Sequence, residues 1–231
     1  MATGTIITIT TMSDRALLTL TNWLSPGFPV GAFSYSHGLE QAVEDGSVSN
    51  GTSLFCWIEA VLRHGAGRND AILLCEAWRA ADAGTAQELA AICELAAAFR
   101  ASREMRTETM QQGKAFLDTA APIWGTVEGL DPAPAYPVAV GALAAKAGIG
   151  LRETATLYLN AFAANLVLAA LRLAPIGQSE GQAILFRLND CVLAVADEAL
   201  TSDLDDLGGA AMGVDIASMR HETQYSRLFR S

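Results

Sequence analysis

The chain has 231 residues, 51% of them hydrophobic and only 17% charged, with a formal net charge of −10. That length suits one large domain with a substantial core, and the thin charge points to apolar area kept for partners, because monomers rarely leave large apolar patches wet. The acidic balance disfavours a phosphate-backbone binder, which needs clustered Lys and Arg, and no basic, long-apolar start marks a signal peptide, so cytoplasmic residence is expected.

The first dozen residues are Thr-rich and β-leaning, and read as a flexible segment, 1–12. "DRALLTLTNWL" then places Leu17, Leu20 and Leu24 at helical spacing. The connector "SPGFPVGAFSYSHGLEQAVEDG", Ser25 to Gly46, follows, crowding Phe28, Phe33, Tyr35 and His37 among glycines and prolines. A plain helix–helix turn needs only a handful of polar residues. Phe55, Ile58 and Leu62 mark the next helical face, and "NDAILLCEAWRAAD" the one after it. Thr85 and Glu88 form a capping-box signature ahead of "LAAICELAAAF", and a break is expected around Ala101–Ser102 before "REMRTETMQQGKAFLD".

"APIWGTVEGLDPAPAYP" holds four of the seven prolines and reads as a loop or hinge. Thr154 to Leu171 contains eighteen residues without a charge, the length of a membrane span. Asn160, Asn165 and the many alanines instead favour a buried central helix, so no membrane is expected. Ser179 and Gln182 make a second capping-box signature. The helix they open would carry Ile184, Leu188, Val192, Val195 and Ala199 on one face. Strand-like alternation never persists beyond residue 12. The expected fold is all-α, one helical bundle of about eight to ten helices over 13–206, with a flexible segment at either end.

No catalytic apparatus emerges. Ser34, Ser36 and His37 suggest a small helical hydrolase, yet the Gly-x-Ser-x-Gly elbow and its strand–turn–helix setting are missing. His37, His64 and His221 lie far apart, and no His-x-x-x-His or Cys-x-x-Cys spacing offers a metal site. Cys56, Cys75, Cys93 and Cys191 form no pair, and Cys75 and Cys93 fall within apolar stripes as small core residues. Gly113–Lys114 lacks the preceding glycine of a phosphate-binding loop. The last segment, 207–231, is different in kind. It ends "SMRHETQYSRLFRS", with Arg220, Arg227 and Arg230 against a single Glu222. If it coils, Tyr225, Leu228 and Phe229 share a face, the composition of interface anchors, so it reads as a partner-binding tail that orders on contact, the alternative being a tail that docks on its own domain.

Three stretches, "LSPGFPVGAFSYSHGLE", "LRLAPIGQSEGQ" and "SMRHETQYSRLFRS", occur in order and resemble the UreF family of urease accessory proteins. The resemblance implies a non-catalytic, homodimeric, all-α nickel-insertion factor. It would bind the accessory protein UreD (also called UreH) and recruit UreG, the nickel-carrying GTPase. UreF would regulate GTP hydrolysis by UreG while nickel passes to apo-urease, with no tightly bound cofactor of its own. By motif, Phe33 and Tyr35 would form part of a UreG-facing surface that Arg227 supports. Tyr225, Leu228 and Phe229 would order against UreD, Gln178 and Gln182 would lie near the dimer or the nickel passage, and His37 would stand beside the docking surface, able to touch nickel in transit.

Overall fold

A computed structural model describes residues 13–231; the expected flexible segment 1–12 lies outside them. The described residues contain ten α-helices and no strand. In chain order these are α1 (Asp14–Trp23), α2 (Leu39–Glu44), α3 (Gly51–His64), α4 (Ala66–Ala83), α5 (Ala86–Ala98), α6 (Arg103–Trp124), α7 (Tyr136–Lys146), α8 (Leu151–Leu173), α9 (Gln178–Ala199) and α10 (Met212–His221). Single 3₁₀ turns lie at Ala32–Ser34 and Leu204–Asp206. The all-α expectation therefore holds.

Local chemistry starts and stops these helices. Ser13 accepts a hydrogen bond from the Ala16 N–H at the head of α1, and Ser102 accepts one from Met105 at the head of α6. Asn50 and Ser53 form a reciprocal capping box at α3. Gly84 closes α4 in the left-handed conformation. The two boxes expected from sequence do not form. Thr85 does precede α5, but its hydroxyl donates to the Ala80 carbonyl of the preceding helix. At α9 the cap is Gly177, which lies one residue ahead of Gln178 and places Ser179 inside the first turn. The expected break at Ala101–Ser102 is the gap between α5 and α6, while α6 carries Pro122 in its last turn and runs on to Trp124.

Helices α4 and α7 pack together most extensively, with α8 and α9 beside them. A Cβ on Gly141 of α7 would overlap the Leu74 carbonyl oxygen of α4, so only glycine permits that approach. The predicted stripe of α9 is buried at all five positions, and Leu89, Ile92 and Ala96 of α5 are buried as well. Leu20 is buried on α1, but Leu17 is exposed. Trp23, Phe28, Phe116 and Trp124 meet at ring-centroid distances of 4.9–5.5 Å, mostly edge to face. Phe28, from the connector, is thereby committed to the core.

Within α8, Tyr158 donates to the buried Asp70 (2.8 Å), which also pairs with Arg100 (2.6 Å). By length and composition α8 could cross a membrane, but half of its most apolar window is buried within the fold. Cys75, Cys93 and Cys191 are buried, and Cys56 is exposed.

The tail takes the second course open to it and docks on its own domain. Residues 212–221 are helical, and the stretch to Ser231 lies against the chain's own body rather than standing free. Tyr225, Leu228 and Phe229 do not share a face, since Tyr225 and Leu228 are exposed and Phe229 is buried. The segment after His221 is extended or turning, and its Leu228, Phe229 and Arg230 N–H groups find partners on α2 and the connector.

Candidate functional site

The connector, the polar face of α6 and the tail converge on one side of the bundle. A 3₁₀ turn at Ala32–Ser34 is followed by two consecutive residues in the left-handed region, His37 (φ 58°) and Gly38 (φ 77°). Left-handed backbone is uncommon for a residue with a Cβ. The turn drops α2 into place so that Gly38 passes the backbone of α10, and a Cβ there would stand 2.9 Å from the Ser218 nitrogen. Glu40 follows in the first turn of α2, buried beneath the tail.

On α6, Glu104, Glu108 and Gln111 stand at i, i+4 and i+7, which puts them on one face. Each meets one part of the other two segments. Glu104 accepts from Arg227 (2.7 Å) and pairs with the Nδ1 of His221 (2.7 Å). Glu108 accepts from the Ser231 hydroxyl (2.6 Å), and Gln111 accepts from the Tyr35 hydroxyl (2.6 Å). Glu40 completes the set by accepting the Leu228 and Phe229 N–H groups (2.6 and 2.9 Å) while facing the Nε2 of His221 (3.1 Å). His221 is fully buried between two carboxylates, and such buried charges persist only where they are paired and hydrogen-bonded.

The tail is also stitched to the connector backbone. The Arg230 N–H donates to the Ser34 carbonyl, and the Ser36 N–H donates to the Ser231 oxygen, both at 2.8 Å. The Ser36 hydroxyl bonds the same Ser231 oxygen and accepts from the Glu40 N–H. Phe229 fills the apolar end with the Arg172 guanidinium over its ring at 4.5 Å, and Arg172 also donates to the Phe33 carbonyl.

Beside this junction lies a cavity of about 290 Å³ whose wall includes Phe33, Tyr35, His37, Glu108, Phe162 and Phe229. The His37 side chain is buried and its ring edge-on to Phe162, and neither of its nitrogens has a hydrogen-bond partner. Its Nδ1 stands 3.6 Å from Glu108. Burial raises the Tyr35 phenol above its ordinary value, with Arg230 pulling the other way.

Of the residues singled out from sequence, the structure brings Phe33, Tyr35, His37, Gln178, Arg227, Leu228 and Phe229 to this side, with Gln178 at the cavity mouth. Phe33 is exposed and available for contact. Tyr35 is buried and holds α6, a structural position rather than an open surface. Gln182 is exposed a turn further along α9, outside the cavity wall, and the Tyr225 side chain points wholly to solvent. The serine–histidine reading fails on geometry. His37 bonds neither Ser34 nor Ser36, and the Ser36 hydroxyl is engaged by Ser231. Among the described residues no cluster of three or more His, Cys, Asp or Glu is arranged to hold a metal ion.

Sequence reasoning missed Glu40, Glu104, Glu108, Arg172 and the role of His221. The usable signal was the Glu-x-x-x-Glu-x-x-Gln stripe of α6, a polar face too regular to be filler.

Residues 48–189 match the UreF family profile. The chain is 52% identical over 221 residues to the urease accessory protein UreF of Mesorhizobium japonicum, covering 95% of this chain and 98% of that one. It is 48% identical to the UreF of Rhodopseudomonas palustris strain TIE-1, over 94% of this chain and 93% of the relative. To that of Roseobacter denitrificans it is 47% identical, over 95% and 96%. The family profile spans more than half of the chain and these relatives nearly all of it, and the chain belongs to the UreF family of urease accessory proteins.

Proposed function

We propose that this chain is a non-catalytic, cytoplasmic urease maturation factor. It binds UreD (UreH), forms a homodimer within the complex, and recruits the GTPase UreG so that nickel is inserted into apo-urease. It regulates UreG's GTP hydrolysis and binds neither nucleic acid nor a membrane. Nickel is cargo in this reading, and no tightly held cofactor belongs to the chain. The observation that carries it is the convergence of connector and tail on one face, where Phe33 and Leu228 present apolar side chains to solvent beside a buried polar frame centred on His221. Exposed aromatic and aliphatic anchors next to arginines are the composition of protein–protein contact, and an all-helical frame whose Ser–His pair is unconnected supports scaffolding over bond-making.

The test is co-expression with UreD and UreG, followed by sizing with and without GTP. The expected result is co-purification with UreD and a larger, nucleotide-sensitive assembly when UreG is present. Failure to co-purify with UreD under any co-expression condition overturns the reading.

A further inference from the structure

Charge is sorted by depth around the junction. Arg103 and Arg106 stand at the head of α6, Arg172 and Arg220 at the ends of α8 and α10, and Arg227 and Arg230 in the tail. All six are exposed, the Arg103 side chain by 82%. The carboxylates of the same junction turn the other way. Side chains of Glu40, Glu104, Glu108 and Glu222 are only 9–22% exposed, and each accepts hydrogen bonds from the chain itself. The exposed carboxylates of the connector, Glu44 and Asp45, close α2 at the end away from Glu40. Solvent therefore meets guanidinium here, on a chain whose net charge is −10.

Little of this basic edge is used up inside the fold. Arg103 reaches Glu222 only at 3.8 Å, and Arg106 spends its Nε on the Ala97 carbonyl. Arg220 makes no ion pair among the described residues. A guanidinium carries five donors in a planar fork, so these side chains keep an outward edge shaped for a carboxylate. Phe33 and Leu228 are exposed beside them, Phe33 through its carbonyl on Arg172 and Leu228 next to Arg227. Arginine next to exposed aromatic and aliphatic side chains is what anchors protein contacts.

We infer that this face docks an acidic protein surface, one that offers several Asp or Glu carboxylates around an apolar recess. The inference rests on the recruitment reading, whose contact face it shares, and adds the chemistry of what sits there. A long polyanion such as nucleic acid is a poorer match. The rest of the chain carries all of the negative charge and repels a polyanion beyond the arginines, whereas a compact acidic patch meets only the arginines. Complementarity of this kind speeds encounter at low salt and fixes orientation.

The probe is a fluorescein-labelled peptide, EELEEFEELE, titrated by anisotropy into the full-length chain. Saturable binding is expected, weakened at least tenfold between about 50 and about 300 mM NaCl as the arginines are screened. Arg103→Glu with Arg220→Glu should also weaken it at least tenfold. Lys146→Glu with Arg152→Glu changes the net charge equally, at the far end of α8 from Arg172, and should leave affinity within about twofold. If the first pair does not fold, Arg103→Gln with Arg220→Gln replaces it, with a loss of about threefold or more expected. Absence of binding, insensitivity to salt, equal weakening by both pairs, or tighter binding of a single-stranded oligonucleotide with as many charges overturns the inference. None of these outcomes bears on co-purification with UreD, which tests the maturation reading separately.

Discussion

Glu40 sits in the first turn of α2, accepts two tail N–H groups, and faces a histidine 181 residues away in the chain. A single buried carboxylate therefore joins three segments, and leaving any one of its partners unpaired would expose the full desolvation penalty of a charged group. Asp215 of α10 shows the opposite case. Burial raises its carboxyl above the ordinary value, ahead of the contrary pull of His37. A carboxyl raised in the folded state stabilises folding only while protonated. That contribution is complete below the ordinary carboxylate range and is lost as pH rises through the raised value. Asp215→Asn should accordingly unfold at a higher temperature than the wild-type chain near neutral pH, with the gap closing towards about pH 4. A gap that widens on acidification would mean that Asp215 is held charged. Among the thiols, burial pushes Cys75 up to about 12, which fits a core residue rather than a nucleophile or ligand.

At the scale of elements, the bundle is organised by the close crossing of α4 and α7. Gly141 allows it because backbone meets backbone there, with the Leu74 carbonyl where a side chain would start. Gly141→Ala raises intrinsic helix propensity by about 1 kcal/mol, yet the added methyl must push two helices apart. Overpacking of this kind costs about 1–3 kcal/mol, and the displaced group is main chain, which cannot rotate away. The expected outcome is a net loss of stability in chemical denaturation, and an unchanged or higher midpoint would show that the crossing is loose. Much of this level was legible beforehand. The stripes of α5 and α9 follow from periodicity alone, and the break before α6 follows from its composition. The caps were not legible, because a threonine hydroxyl at a helix junction can serve either neighbour, and Thr85 serves the one behind it.

For the whole molecule, the site is a junction of the connector, the α6 face and the tail. Arg227 spans it from the outside, with its side chain about 40% exposed and its partner Glu104 also held by His221. An exposed ion pair of this kind contributes about 0–1 kcal/mol. Arg227→Ala should leave helix content and co-purifying UreD unchanged while reducing recovered UreG. Equal loss of both partners would assign the residue to the architecture instead. The aromatic connector could be singled out from composition, but the fates of its rings could not. Phe28 enters the core, Tyr35 braces α6 and Phe33 alone stays open, a division set by which helix passes beneath each residue.

The helical class, the apolar stripes and the three ordered motifs follow from the sequence by itself, because helical periodicity and family motifs are local patterns that survive without coordinates. Only the tertiary structure decided that the tail rests on its own body, that His221 lies between Glu40 and Glu104, and that His37 is enclosed without a partner. Those contacts join residues more than a hundred positions apart, and their energy depends on burial and on simultaneous pairing, which no spacing rule along the chain records.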